Sequence, residues 1–153
     1  MSSAQSLQKL LQKGGSIDAS AGSQDDVIQA ATDAGLTAIV VDCDRARSRS
    51  AVLRAVVKAV DFPEFFGSNL DALYDCLSDT VMDQRNGLFL WFYKLHTGDP
   101  ILADDAKAIL DICADVVGFA ENNERVFSYV VEHAGKHPDP VLEEPARGGG
   151  DDE

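Results

Sequence analysis

Three short, uninterrupted apolar runs constrain the fold of this chain more than any other feature. They are TAIVVDC at 37–43, LFLWFY at 88–93 and VFSYVV at 126–131. Runs of this length and composition are typical of strands buried on both faces of a sheet. Helical patterns separate the runs, so the connections are crossovers and the strands are parallel. The sequence therefore predicts an α/β fold with a small three-stranded parallel sheet packed with helices; a fourth, edge element from the N-terminus is left open.

The remaining sequence divides into three parts. Residues 1–22 form an N-terminal extension of marginal structure, because the short helical pattern around Leu7, Leu10 and Leu11 ends at a Gly-Gly pair. Residues 23–134 form the folded domain. Residues 135–153 combine proline, glycine and acidic residues with little to bury, so this acidic tail is expected to be disordered.

The charge balance restricts the classes of partner. Thirteen basic residues against twenty-six acidic ones leave a net charge of −13, which argues against nucleic acid or an anionic membrane as a direct ligand. It favours a basic protein partner, or simply solubility. Cys43, Cys76 and Cys113 are too scattered for a disulfide framework or a zinc site and are expected to be buried free thiols. With no signal-peptide or membrane-spanning pattern, the expected location is the cytoplasm.

The acidic residues concentrate in residues 61–84, which contain no lysine or arginine. Within a predicted helix from Asn69 to Asp79, three aspartates recur every four residues, at Asp71, Asp75 and Asp79, opposite a row of leucines. Like charges at this spacing repel by roughly 0.2–0.5 kcal/mol per pair on an exposed helix. One interpretation is a surface prepared for a cationic cleft; the other is a solvated acidic face on an acidic protein.

Aromatic residues border this helix. Phe65, Phe66 and Gly67 precede it, and Tyr74 lies beside its acidic face. Aromatic anchors beside charges that become desolvated are the usual composition of an interface hot spot. The alternative is that the two phenylalanines fill the core.

The segment FPEFFGSNLDALYDCLSD at 62–79 closely resembles the inhibitory segment of the barstar family, intracellular inhibitors of barnase-type ribonucleases. The order Pro-Glu, two aromatics, Gly, any residue, Asn-Leu-Asp, Ala-Leu, an aromatic and Asp-Cys-Leu is matched without gaps from Pro63 to Leu77. The order of strands and helices is also similar over about residues 37–132. The resemblance implies a barstar-like fold and a protein that inhibits rather than catalyses.

The resemblance also implies roles for individual residues. The aspartate at the position of Asp75 would occupy a substrate phosphate position in the nuclease, and that at Asp71 would pair with further basic residues. The aromatic at Phe65 would pack on the catalytic histidine, and an acid on the last helix, Asp115, would add another pair. Together, the pattern and the resemblance predict these partner-binding residues: Phe65, Gly67, Asn69, Leu70, Asp71, Tyr74, Asp75, Asp79 and Asp115.

Because this sequence departs from the family pattern at several positions, it does not identify the partner. Phe65 replaces the usual tyrosine, Tyr74 replaces tryptophan, Asp115 replaces glutamate, and Asp79 with Thr80 stands where the prototype has Gly-Trp. The leading hypothesis is inhibition of a basic ribonuclease by phosphate mimicry, with a barnase-like or other secreted ribonuclease or toxin as the partner. The alternative is a barstar-like immunity or interaction protein for a different basic partner. No metal or cofactor site is predicted, and an enzyme is the least favoured class.

Overall fold

The computed structural model describes residues 3–135, with side chains from residue 6 onward. The elements in chain order are α1 (Ser3–Lys13), β1 (Gly15–Ile17), a short 3₁₀ helix (Ala19–Ala21), α2 (Gln24–Asp33), β2 (Thr37–Asp42), α3 (Arg49–Val60), α4 (Leu70–Asp83), β3 (Gly87–Leu95), α5 (Ala103–Asn122) and β4 (Val126–His133). Apart from Gly135, the tail predicted to be disordered lies outside the described residues.

The four strands form one parallel sheet in the order β1-β4-β3-β2. The register runs from Thr37 opposite Leu88 to Asp42 opposite Tyr93, and Gly87 lies opposite Val126. The predicted α/β fold is confirmed, and the edge element left open in the prediction is β1, which pairs with β4.

One face of the sheet packs against α3, α4 and α5. Alternate residues of β3, namely Leu88, Leu90 and Phe92, point to this face and are fully buried. They meet buried side chains of the three helices, among them Leu53 and Leu77. This larger core holds α4 in place.

The other face of the sheet packs against the N-terminal elements. Phe89 and Trp91, which alternate with the residues of the first face, contact a cluster that includes Leu7, Leu11 and Val27. Leu11 and Val27 are fully buried. Residues 3–21, expected to have marginal structure, thus form α1, β1 and the 3₁₀ helix within the same folded unit, because the sheet supplies the apolar surface that the segment lacks on its own. Within residues 3–135, no helix has the length and apolar content needed to cross a bilayer.

Cys43, Cys76 and Cys113 are free and buried. Burial is the main reason that the pKa of each thiol is raised from 9.0 to about 12, and the nearby carboxylates of Asp42 and Asp79 add to the effect at Cys43 and Cys76. The pKa of Tyr129 is also raised, to about 12, chiefly by burial. All four groups therefore stay neutral in the folded protein at alkaline pH.

These thiols should make the protein less stable at alkaline pH. Between pH 9 and 12 the folded state keeps the three thiol protons, whereas the unfolded chain loses them, so rising pH favours unfolding. Below pH 9 the effect is absent; within the window, each thiol contributes a slope of up to about 1.4 kcal/mol per pH unit. Urea denaturation at about pH 8 and about pH 10 measures it. The Cys113→Ala variant should show a smaller decrease, and equal stability of the parent at both pH values would contradict the expectation.

Candidate protein-binding site

Helix α4 presents one buried and one exposed face. It begins after Asn69, whose Oδ1 accepts a hydrogen bond from the Ala72 N–H at 3.2 Å, as an N-cap does. Leu73 and Leu77 are fully buried against the sheet. The helix continues to Asp83, beyond the predicted end at residue 79, because buried Thr80 and Val81 extend its inward face.

The opposite face of α4 carries Asp71, Asp75 and Asp79, all exposed. Within residues 3–135, none of the three accepts a hydrogen bond or forms an ion pair. Consecutive carboxylates are separated by about 6 Å along the helix axis. The face is therefore a row of like charges that no side chain in the described part of the molecule neutralises.

The loop before α4 is built from stacked aromatic rings. The rings of Phe65 and Phe66 are stacked with centroids 6.0 Å apart, and Phe62 meets Phe66 edge-on at 6.2 Å. Phe65 and Phe66 are half-buried and pack against the larger core, so each has both a core contact and an exposed part. Gly67 follows with φ of +70°, a left-handed conformation that favours glycine and turns the chain into the helix.

Arg49 fixes this loop to two helices. Its Nε and Nη2 donate to Oδ1 of Asp105 at 3.0 and 2.9 Å, and its Nη1 donates to the Ser68 carbonyl at 3.4 Å. Because Arg49 begins α3 and Asp105 lies in the first turn of α5, the loop is held between the starts of both helices. Sequence patterns do not predict this link, because it joins residues that are distant in the chain.

Tyr74 connects α4 to α5. Its half-buried ring meets Phe119 edge-on, with centroids 6.2 Å apart. Asp115 lies one turn before Phe119 on α5 and is exposed, so the i, i+4 spacing directs it to the side of α5 that borders Tyr74. Phe119 was not singled out in the sequence, because its role depends on a contact between two helices.

The other predicted residues lie at the start of α4 or near its end. The side chain of Leu70 is partly buried and packs against the core. Asp79 borders a surface cavity of about 370 Å³, which Asp61, Asp83, Phe62 and Met82 also line. A lysine or arginine of a partner could place its aliphatic stem on the apolar lining and its charge among the carboxylates.

Among residues 3–135, no group of three or more His, Cys, Asp or Glu side chains could hold a metal ion. What the geometry can do is bind cations: exposed carboxylates project from a helix whose other face is anchored in the core, and aromatic rings flank them.

A family model described as barstar, a barnase inhibitor, matches residues 36–132 and so covers the whole of α4 and its flanking loop. No curated protein matches the chain.

Proposed function

Because the chain belongs to the barstar family, we propose that it inhibits a basic ribonuclease by inserting the acidic face of α4 into the active site. The observation that carries the proposal is the row formed by Asp71, Asp75 and Asp79, exposed and without an internal partner in residues 3–135. A helix selected only for stability would gain from a lysine at one of these positions. The repulsion is relieved when a cationic pocket covers the row.

The proposed mechanism is mimicry of substrate phosphates. Asp75, at the centre of the row, takes the place of a phosphate and accepts hydrogen bonds from arginine or histidine side chains of the nuclease. Asp71 and Asp79 pair with cations on either side. The inhibitor needs no bond making or breaking, because occupying the pocket excludes RNA.

The aromatic rings supply the apolar part of the proposed interface. Phe65 and Tyr74 are half-buried and held by neighbours, so little side-chain entropy is lost when a partner covers them. Rigid aromatic anchors around desolvated charges typically carry much of the binding free energy. The hydrogen bonds from Arg49 to Asp105 and Ser68 support this view, because they fix the loop before binding.

The test is a titration of the full chain against a panel of small basic microbial ribonucleases, measuring inhibition of RNA cleavage. We expect one or more to be inhibited stoichiometrically, with association slowed by added salt as the attraction is screened. Asp75→Ala should weaken inhibition by at least about a hundredfold, because it leaves cations of the nuclease buried and unpaired.

Asp25→Ala is the matched control. It removes the same charge from an exposed position in the first turn of α2, which covers the other face of the sheet. This variant should inhibit as the parent does. Equal inhibition by Asp75→Ala and Asp25→Ala, or no inhibition of any nuclease by the parent, would refute the proposal.

A second candidate function uses the same barstar-like fold but has a different target, a basic toxin or regulatory protein that is not a ribonuclease. The observation that favours it is Asp79, which adds a carboxylate and an acidic cavity where the family prototype has a glycine. Affinity capture from the native host, read by mass spectrometry, separates the two candidates, since recovery of a ribonuclease counts against the second. The cytoplasmic location predicted from the sequence is part of either proposal.

A further inference from the structure

A basic segment lies directly before the acidic one. Residues 45–58 contain five basic side chains and no acidic one. Arg47 pairs with Asp99 and Arg49 with Asp105. The other three, Arg45, Arg54 and Lys58, are exposed and form no ion pair within residues 3–135. Three cations in one segment that form no ion pair among the described residues are unexpected in a chain whose net charge is −13.

These three cations line one groove. Its volume is about 320 Å³, and it lies between the turn after β2 and α3, where the small side chains of Ala46, Ala51 and Ala55 leave room. Asp42 and Asp44 also line it. Asp42 accepts a hydrogen bond from the Asp44 N–H at 3.1 Å, and within residues 3–135 neither carboxylate forms an ion pair with the three cations.

Arg54 joins this groove to the acidic face. Its guanidinium carbon lies 4.1 Å from the centroid of the Phe65 ring, in a cation–π contact. The N–H donors of a guanidinium lie in its plane, so a group stacked on a ring keeps them free to bind a carboxylate in a fork. Phe65 belongs to the loop that leads into α4, so this contact joins an arginine without an ion pair to the segment that carries the aspartates.

We propose that Arg54, held on Phe65, binds a carboxylate of the partner, and that Arg45 and Lys58 extend this contact along the groove. The inference rests on the proposed function. It predicts that the partner has a cationic pocket, which receives α4. At the rim of that pocket, the partner has an acidic loop that enters the groove on α3. Arg54 is then a determinant of which basic nuclease is bound.

The proposal is tested by replacing arginine with glutamate at two positions and comparing the effects on binding. Adding negative charge to the inhibitor should speed its association with a cationic nuclease, provided that the substituted residue does not contact the nuclease. Arg85→Glu provides this reference, because Arg85 is exposed and, within residues 3–135, forms no hydrogen bond or ion pair. Arg54→Glu changes the net charge equally, yet it should weaken binding by at least about tenfold relative to Arg85→Glu, since it places like charges together.

Arg54→Met distinguishes recognition from mere support of the ring. Methionine can still cover the face of Phe65 but carries no charge. If Arg54 only positions Phe65, this variant should bind as the parent does; if Arg54 binds a carboxylate, it should bind more weakly than the parent. Urea denaturation of each variant checks that stability is unchanged.

The dissociation constants of these variants and of Asp75→Ala are measured against the same ribonuclease panel. Binding that is lost in Asp75→Ala but equal in Arg54→Glu and Arg85→Glu would overturn this inference and leave the proposed function standing. If the parent binds no nuclease of the panel, both fall together. Weaker binding by Arg54→Glu and by Arg54→Met, with Arg85→Glu as tight as the parent, is the supporting result.

Discussion

Replacing Gly87 with alanine should prevent the chain from folding. Gly87 begins β3 and pairs with Val126 of β4, the strand beside it in the middle of the sheet. A Cβ atom at Gly87 would lie 2.0 Å from the carbonyl oxygen of Val126 and 2.7 Å from its nitrogen, and the φ of +146° is one that side chains rarely adopt. Only separation of the two strands relieves such an overlap with backbone, at an expected cost above about 4 kcal/mol.

Gly118→Ala is the matched control. Gly118 lies inside α5, and a Cβ atom there meets nothing within 4 Å, so the change should stabilise the helix by up to about 1 kcal/mol. Circular dichroism and urea denaturation of the two purified variants provide the comparison. A Gly87→Ala variant with a transition midpoint near that of the parent would show that β3 and β4 do not approach as closely as described.

Removing residues 1–35 should have an effect of similar size. The matched family span begins at residue 36, which makes this the natural place to trim the chain. The deletion would expose Phe89, Trp91 and Val130, which are at most 4% exposed in the intact fold. At about 1.5–3 kcal/mol for each large apolar side chain, the loss approaches the whole stability of an ordinary domain.

We therefore expect the trimmed chain to be unfolded or aggregated, although it retains every residue of the acidic face. Leu11→Ala, a milder change in the full chain, should lower the free energy of unfolding by about 2–5 kcal/mol while leaving the α4 surface intact. Circular dichroism, denaturation and nuclease inhibition are the measurements. A trimmed chain that unfolds cooperatively and still inhibits would show that the N-terminal layer is dispensable.

The sequence predicted the three long strands because each is a mainly apolar run. It was wrong to predict that 37–43 is buried on both faces, since β2 lies at the edge of the sheet and Val40 is 36% exposed. It left the N-terminal edge strand β1 open, since Gly15–Ile17 is too short to have a periodicity and follows a glycine. The helix around Leu7, Leu10 and Leu11 was expected to present all three to one side. In the structure Leu7 and Leu11 are buried, while Leu10 is 44% exposed. Which residue is buried depends on the sheet that covers the helix, and a local pattern does not contain that information.

The candidate site likewise contains features that the sequence predicts and contacts that it does not predict. The positions of Asp71, Asp75 and Asp79 on one exposed face follow from helical spacing alone. The contacts that hold Phe65 and Tyr74, from Arg54 and Phe119, join different elements of the fold and have no signature in the neighbouring sequence. The predicted partner-binding roles themselves stay predictions until a partner is tested.

The order of strands in the sheet affects how the protein can be made in a cell. Among residues 3–135, β4 is the last element to be synthesised, yet it lies between β1 and β3 and provides the pairing surface for both. Helix α2 can pack on β2 and β3 before β4 is made, whereas α1 and β1 contact β4 and gain this cover only after translation has passed His133. A nascent chain stalled before that point has no complete sheet beneath α4, so the proposed function predicts nuclease inhibition only from chains that have been synthesised through β4.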